Sequence, residues 1–171
     1  LEGGMTVQPF LIGEGWQEIR DGDPSLIAMH RRHYSYEPPA EGRRKQALAI
    51  GPGFKLALMT ADGGAICAWR KEKHRKDGQA GVNCSIYRRE VGEPASALLS
   101  TAMDLAWAKW PGERLFTFVD PRQVKPTMVK GPRGHFYAVW GYCFYQAGWL
   151  FEGLTAKGLH ILAAYPEGGD A

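Results

Sequence analysis

Long apolar runs, paired cysteines, repeats and a strong net charge are all missing from this chain. No apolar run in its 171 residues approaches the roughly 20 that cross a bilayer, and no charged-then-apolar leader resembles a signal peptide. A soluble intracellular protein without a membrane partner is expected. The three cysteines, Cys67, Cys84 and Cys143, are widely spaced and form no CxxC pair, which fits a reduced compartment and small buried thiols better than a disulfide framework or a nucleophile. A formal net charge of +3 does not by itself mark a nucleic-acid binder. No internal repeat or low-complexity segment interrupts the chain before its C-terminal end.

What is present is enough for one core: 44% of the residues are hydrophobic, and the length suits a single domain. Leu1 to Gly4, ahead of Met5, read as an expression-tag remnant; residues 5–165 read as the domain and 166–171 as a tail. The positive residues cluster at Arg31-Arg32, Arg43 to Lys45, Lys71 to Lys76, Arg88-Arg89, and Lys125, Lys130 and Arg133. Each cluster reads as a solvated face, or, where several flank one cleft, as a local field for a polyanion.

Local signals order the elements. Asp23-Pro24-Ser25 predicts a helix start, with Asp23 or Ser25 as cap, running to about Tyr34–Tyr36 before Pro38. Residues 37–53 read as a loop with a short strand at Ala47 to Ile50. Phe54 to Met59 and Ala65 to Arg70 around Asp62-Gly63 predict a hairpin, and Val82 to Tyr87 a third strand. Leu99, Met103, Ala106 and Trp110 mark the apolar stripe of a helix opened by Glu93 to Ser96 and ended by Pro111-Gly112. Leu115 to Val119 then returns as a strand parallel to the third. Phe136 to Gln146 reads as a short helix closed by Gly148, and Phe151 to Leu154 with Leu159 to Ala164 as a final hairpin. The expected class is α/β in the broad sense, an α+β domain whose central mixed, mostly antiparallel sheet is flanked by helices.

The most informative stretch runs from Arg114 to Trp149. Asp120 stands at the C-terminal end of a strand with Pro121 behind it, where open α/β sheets place their chemistry, or else it is a turn residue. His33 can serve as base, ligand or helix cap near neutral pH.

This order of elements resembles the GNAT acetyltransferase superfamily over most of residues 24–164. The resemblance implies a coenzyme A pyrophosphate held by the loop between the third strand and the following helix, where Arg88, Arg89, Gly92 and Ser96 stand; the glycine pattern is matched only in its first two positions. It also implies a tyrosine acid four residues before Gly148, where this chain has Phe144, leaving Tyr142 as a substitute acid or a packing residue. Four motifs are more specific: Arg32-His33-Tyr34-Ser35, Gly81 to Cys84 with Arg88 beyond, Arg114 to Pro121, and Gly141 to Trp149. Together they resemble the bacteriophage Mom family. That resemblance implies a GNAT-like transferase in the cytoplasm of a bacterial host that adds a carbamoylmethyl group to adenine N6 in DNA and so protects it from restriction.

On this reading His33, Tyr34, Ser35, Asp120 and Tyr142 are the candidate catalytic residues. The family association with iron makes His33 and Asp120 candidate metal ligands. The donor is acetyl-CoA or another small molecule. The partner is double-stranded DNA with the target adenine flipped out, contacted by Arg31, Arg32, Lys125, Lys130 and Arg133 along phosphates and by Tyr137 or a neighbouring aromatic as a stacking face. The oligomeric state stays open, a dimer included. Two other readings compete: an acyl-CoA-dependent N-acetyltransferase of a small amine or protein, and a non-enzymatic DNA-binding protein on a degenerate scaffold.

Overall fold

In the computed structural model, residues 15–38, 48–92 and 94–167 are described. They form an α+β fold with a seven-stranded mixed sheet, a separate two-stranded ribbon and three helices. The sheet begins with β1 (Trp16–Ile19), β2 (Phe54–Thr60), β3 (Ala65–Lys71) and β4 (Val82–Arg89), all antiparallel neighbours. It continues through β5 (Leu115–Val119), which lies parallel to β4. The chain then forms a ribbon of β6 (Thr127–Lys130) and β7 (Phe136–Val139). It closes the sheet with β8 (Leu150–Leu154) and β9 (His160–Ala164), β9 being inserted between β5 and β8.

Local chemistry explains most of these elements. The hairpin between β2 and β3 turns at Asp62, whose carboxylate accepts from the Gly64 amide and the Thr60 hydroxyl. Helix α2 (Ala95–Lys109) buries the predicted stripe of Leu99, Met103 and Ala106 against the main core. Helix α3 (Tyr142–Gln146) ends at Gly148, φ +92°, where the Gly148 and Trp149 amides donate to Tyr145 and Phe144, the double bond of a left-handed glycine stop. Trp16 ties β1 across the core, its Nε1–H donating to the Leu98 carbonyl and Thr101 Oγ1, both at 2.9 Å. The opposite face of the sheet carries a smaller core of Leu26, Met29, Ile50, Ile66 and Ile86 beneath α1 (Pro24–His30).

Several expectations need correction. Helix α1, capped by Asp23, stops at His30; the amides of Arg32, His33 and Tyr36 bond three residues back, so 31–36 is a run of tight turns. Ala47 lies outside the described residues, and Leu48 to Ile50 is no strand: the Ala49 and Ile50 amides both donate to Asp21 Oδ1. Phe136 to Gln146 is not one helix. Its first four residues pair as β7, and Gly141, φ +77°, breaks the chain before α3. Strands β1 and β6 carried too little apolar alternation to be seen in the sequence.

The join between β4 and β5 positions the site. Their parallel pairing covers only Val82 with Leu115 and Asn83 with Phe116. It is possible because Gly81, φ +113°, brings its backbone against that of Arg114, and the Val82 amide donates to the Arg114 carbonyl at 2.8 Å. Beyond those pairs the strands part, bridged by Thr117 Oγ1 donating to the Cys84 carbonyl at 2.8 Å. Next to the parting, β4 carries one extra residue: Ala68 pairs with Ile86 but Trp69 with Cys84, leaving Ser85 as a bulge.

Candidate functional site

Two cavities meet where β4 and β5 separate. The larger, about 440 Å³, opens on the α1 side and is lined by Tyr34, Ser35, Asn83, Ser85, Thr117 and Asp120, with Tyr36, Glu37 and Gln123 at its margins. The smaller, about 170 Å³, lies on the α3 side among His33, Tyr34, Tyr87, Val124, Cys143 and Phe144. Tyr34, Cys84, Ser85, Thr117 and Phe118 wall both.

The turn after α1 builds a compact polar unit. The Ser35 backbone N–H donates to His33 Nδ1 at 3.2 Å, so that nitrogen carries a lone pair. The Ser35 hydroxyl, 2.7 Å from the same atom, therefore donates to it as well. Burial, with the positive fields of His30 and Arg88, lowers the His33 pKa to about 4, so the ring is neutral at pH 7. Tyr34 stacks against His33, donates its hydroxyl to the Phe118 carbonyl at 3.2 Å, and has its pKa pushed up to about 12 by burial.

That depressed histidine has a measurable consequence. Above the unfolded value near 6.5 both states are neutral and the group contributes nothing. As pH falls below 6.5 the unfolded chain takes up a proton that the folded chain refuses until about pH 4, so stability is lost across that window. We expect His33 to account for about 1–2 kcal/mol of lost stability between pH 7 and pH 5. Urea unfolding at both pH values should show this loss shrink in His33→Gln.

Asp120 is buried at the end of β5 and fully engaged. Its Oδ1 accepts from the Arg122 amide and Nε, both at 3.0 Å, and its Oδ2 from the Arg122 guanidinium at 3.3 Å and Gln123 at 3.4 Å. The Arg122 side chain beside it lowers the carboxyl pKa. The turn is the role observed here, and Arg122, missed in the sequence although only two residues away, is the group Asp120 holds at the cavity edge. His33 and Asp120 thus direct their lone pairs at Ser35 and Arg122. Among the described residues no group of three or more His, Cys, Asp and Glu side chains gathers to hold a metal. With His33 Nδ1 taken by Ser35 and both Asp120 oxygens taken by Arg122 and Gln123, the arrangement does not fit an iron centre.

The loop predicted to cradle a pyrophosphate fits poorly too. Arg88 and Arg32 both grip Glu90, at 2.6 and 2.7 Å, and the hydrogen bonds from Arg32 and then Arg88 lower the Glu90 pKa to about 2. A Cβ on Gly92 would lie 3.3 Å from Asp62 Oδ2. Ser96 sits in the first turn of α2, whose cap residue is Pro94 and whose N-terminus has no side-chain cap. Exposed Arg89 and those amides remain, flanked by two carboxylates. Tyr142, the first residue of α3, does not line either cavity; Cys143 and Phe144 do. Burial raises the Cys143 thiol pKa to about 11, which keeps it protonated and inert as a nucleophile.

The remaining candidates lie on the surface. Arg31, Lys125, Lys130, Arg133 and Tyr137 are exposed, whereas Arg32 is committed to Glu90. Lys130 and Tyr137 belong to the β6–β7 ribbon, and Arg133 to its turn. Met128, Phe136 and Tyr137 are each more than half exposed there. Between Asp120 and Glu152 the sequence has no acidic residue. Val124 and Gly141, just outside the two ends of the ribbon, both line the smaller cavity, so the ribbon springs from the cleft. No described helix is long and apolar enough to cross a membrane. No family model matches the chain, and no curated protein or solved structure is detectably similar to it.

Proposed function

We propose that the chain is a GNAT-like transferase of the Mom type that modifies the N6 amino group of adenine in DNA with a carbamoylmethyl group, making the DNA resistant to restriction. One observation carries this reading. Residues from all four motifs, far apart in sequence, wall the same pair of joined cavities: His33 to Ser35, Asn83 and Cys84, Thr117 to Asp120, and Gly141, Cys143 and Phe144. The sheet order, with a parallel β4–β5 pair that parts over the site, supports the superfamily fold.

The chemistry follows from the side chains. Adenine N6 is a poor nucleophile because its lone pair is delocalised into the ring, so its proton must leave as the new bond forms. Ser35 Oγ, already donating to His33 Nδ1, is placed to accept that proton while passing its own to the imidazole. The N6–CH2 bond forms as the donor's leaving group departs with the bonding electrons. A pyrophosphate would meet the carboxylates of Asp62 and Glu90, so no step depends on coenzyme A. An adenine paired in a duplex cannot reach the cleft, and the base must be extruded. The basic ribbon supplies phosphate contacts through Lys130 and Arg133 and an exposed aromatic face through Phe136 and Tyr137.

Mass spectrometry of nucleosides from cells expressing the protein should reveal a modified deoxyadenosine heavier by one carbamoylmethyl group. Its yield should fall by about 100-fold or more in His33→Ala. Replacing Lys130 and Arg133 together by alanine should flatten the dependence of log affinity for duplex DNA on log salt by about 2. Acetylation of a small amine or protein with DNA left unmodified would decide for the acyltransferase reading. An unaltered biological effect in the alanine variants of His33 and Asp120 would decide for a binding protein.

A further inference from the structure

One buried polar atom at the site has no partner. Asn83 is only 8% exposed and lines the larger cavity, yet its Oδ1 is sealed from solvent and receives no hydrogen bond among the described residues. Its neighbours along the wall are satisfied. Thr117 Oγ1 donates to the Cys84 carbonyl, Ser85 Oγ to the Ala68 carbonyl at 3.4 Å, and Asp120 is held by Arg122 and Gln123. Leaving a buried acceptor unmade costs about 1–3 kcal/mol, a debt that a ligand N–H can settle. The position is also a firm one. Asn83 belongs to the last residue pair before β4 and β5 part, opposite Phe116 on one side and Arg70 on the other. Its backbone is therefore fixed on both edges while its side chain stands at the cavity wall.

We propose that Asn83 reads the base in the cleft: its amide, held by no hydrogen bond among the described residues, turns about χ2 to present Oδ1 to the cavity, where it accepts one N–H of an exocyclic amino group while its own NH2 faces the adjacent ring nitrogen. This rests on the nucleobase reading above. An amide presents an acceptor and a donor side by side, the complement of the adenine edge that offers N6–H beside N7 or N1. Adenine N6 carries two protons. Asn83 holds one, which the product keeps, and the other is left toward Ser35, whose side chain lines the same cavity. The assignment gives the site a reason to select an amino-bearing base, since a keto oxygen in that place would face Oδ1 with no hydrogen between them.

The test uses the full chain and a DNA duplex holding one deoxyadenosine opposite an abasic site, which removes the cost of unpairing. Its affinity is compared with that of the same duplex carrying N6,N6-dimethyldeoxyadenosine or purine deoxyriboside, neither of which has an N6–H. The unaltered protein should bind both analogues about ten-fold or more weakly than adenine. Asn83→Leu, checked for folding by its thermal transition, should bind all three alike. Equal affinity of the unaltered protein for adenine and both analogues would overturn the proposal, and that comparison needs no variant. So would full discrimination in Asn83→Leu. If discrimination appears while cellular DNA stays unmodified, the transfer reading fails and the base-reading role stands. If Asn83→Leu modifies DNA as well as the parent, the base-reading role fails and the transfer reading stands.

Discussion

Replacing Trp149 by alanine is expected to remove about 3–5 kcal/mol of stability, a large share of the roughly 5–15 kcal/mol that a domain has to lose. The indole is 1% exposed and joins β3 to α2 and α3. It stacks on Trp69 of β3 at 6.4 Å between ring centroids, meets Phe144 of α3 edge-on at 4.9 Å, and donates Nε1–H to Met103 Sδ of α2 at 3.0 Å. Truncation leaves a cavity that Trp69, itself buried at strand centre, cannot collapse into, and it orphans a second side of Phe144. Phenylalanine at 149 should recover roughly half of the loss, because it restores ring contact without the N–H. Urea titration with an unchanged slope and a lowered midpoint would verify this; a shift of under 1 kcal/mol in the alanine variant would contradict the packing described.

The second large effect is expected at Gly81. Alanine there would drive its methyl group into the carbonyl of Arg114, which is backbone already bonded to the Val82 amide, and would hold φ at +113° in a region that side chains resist. Neither partner can yield without separating the two residue pairs that join β4 to β5. We expect about 3 kcal/mol or more of destabilisation, together with loss of base binding in the cleft. Gly112→Ala is the control. Its φ of +78° is similarly strained but nothing lies within 4 Å, so its cost should stay near 1 kcal/mol. Similar losses in the two variants would mean that the close approach at Gly81 contributes nothing.

Features with local causes were legible in the sequence. Asp62-Gly63 fixed a hairpin, Ala147-Gly148 a helix stop, and the spacing of Leu99, Met103 and Ala106 a buried helix face. His33, Tyr34, Ser35 and Asp120, candidates for chemistry in the sequence, all line the two cavities, but what they touch was not legible: Ser35 lies on His33, and Arg122 occupies Asp120. The bulge at Ser85 was invisible, since it arises from register with β3 rather than from any residue of β4. Of the ribbon, β7 reads as helix and β6 as loop in the sequence, because these strands bury no face and their composition reflects a surface rather than a core period. Asn83 did leave a signal, an amide between the apolar Val82 and Cys84, which only the missing partner made meaningful.

The narrow join between β4 and β5 also dictates when the site comes into being. Strands β2 to β4 pair as neighbours in a chain-order meander and can assemble from short-range contacts as they leave the ribosome. Each cavity needs walls from both sides of the join, so neither exists until β5 docks across α2. A nascent chain halted before Leu115 would hold part of the sheet and no cleft, so the cavities arise only after the chain beyond α2 has docked.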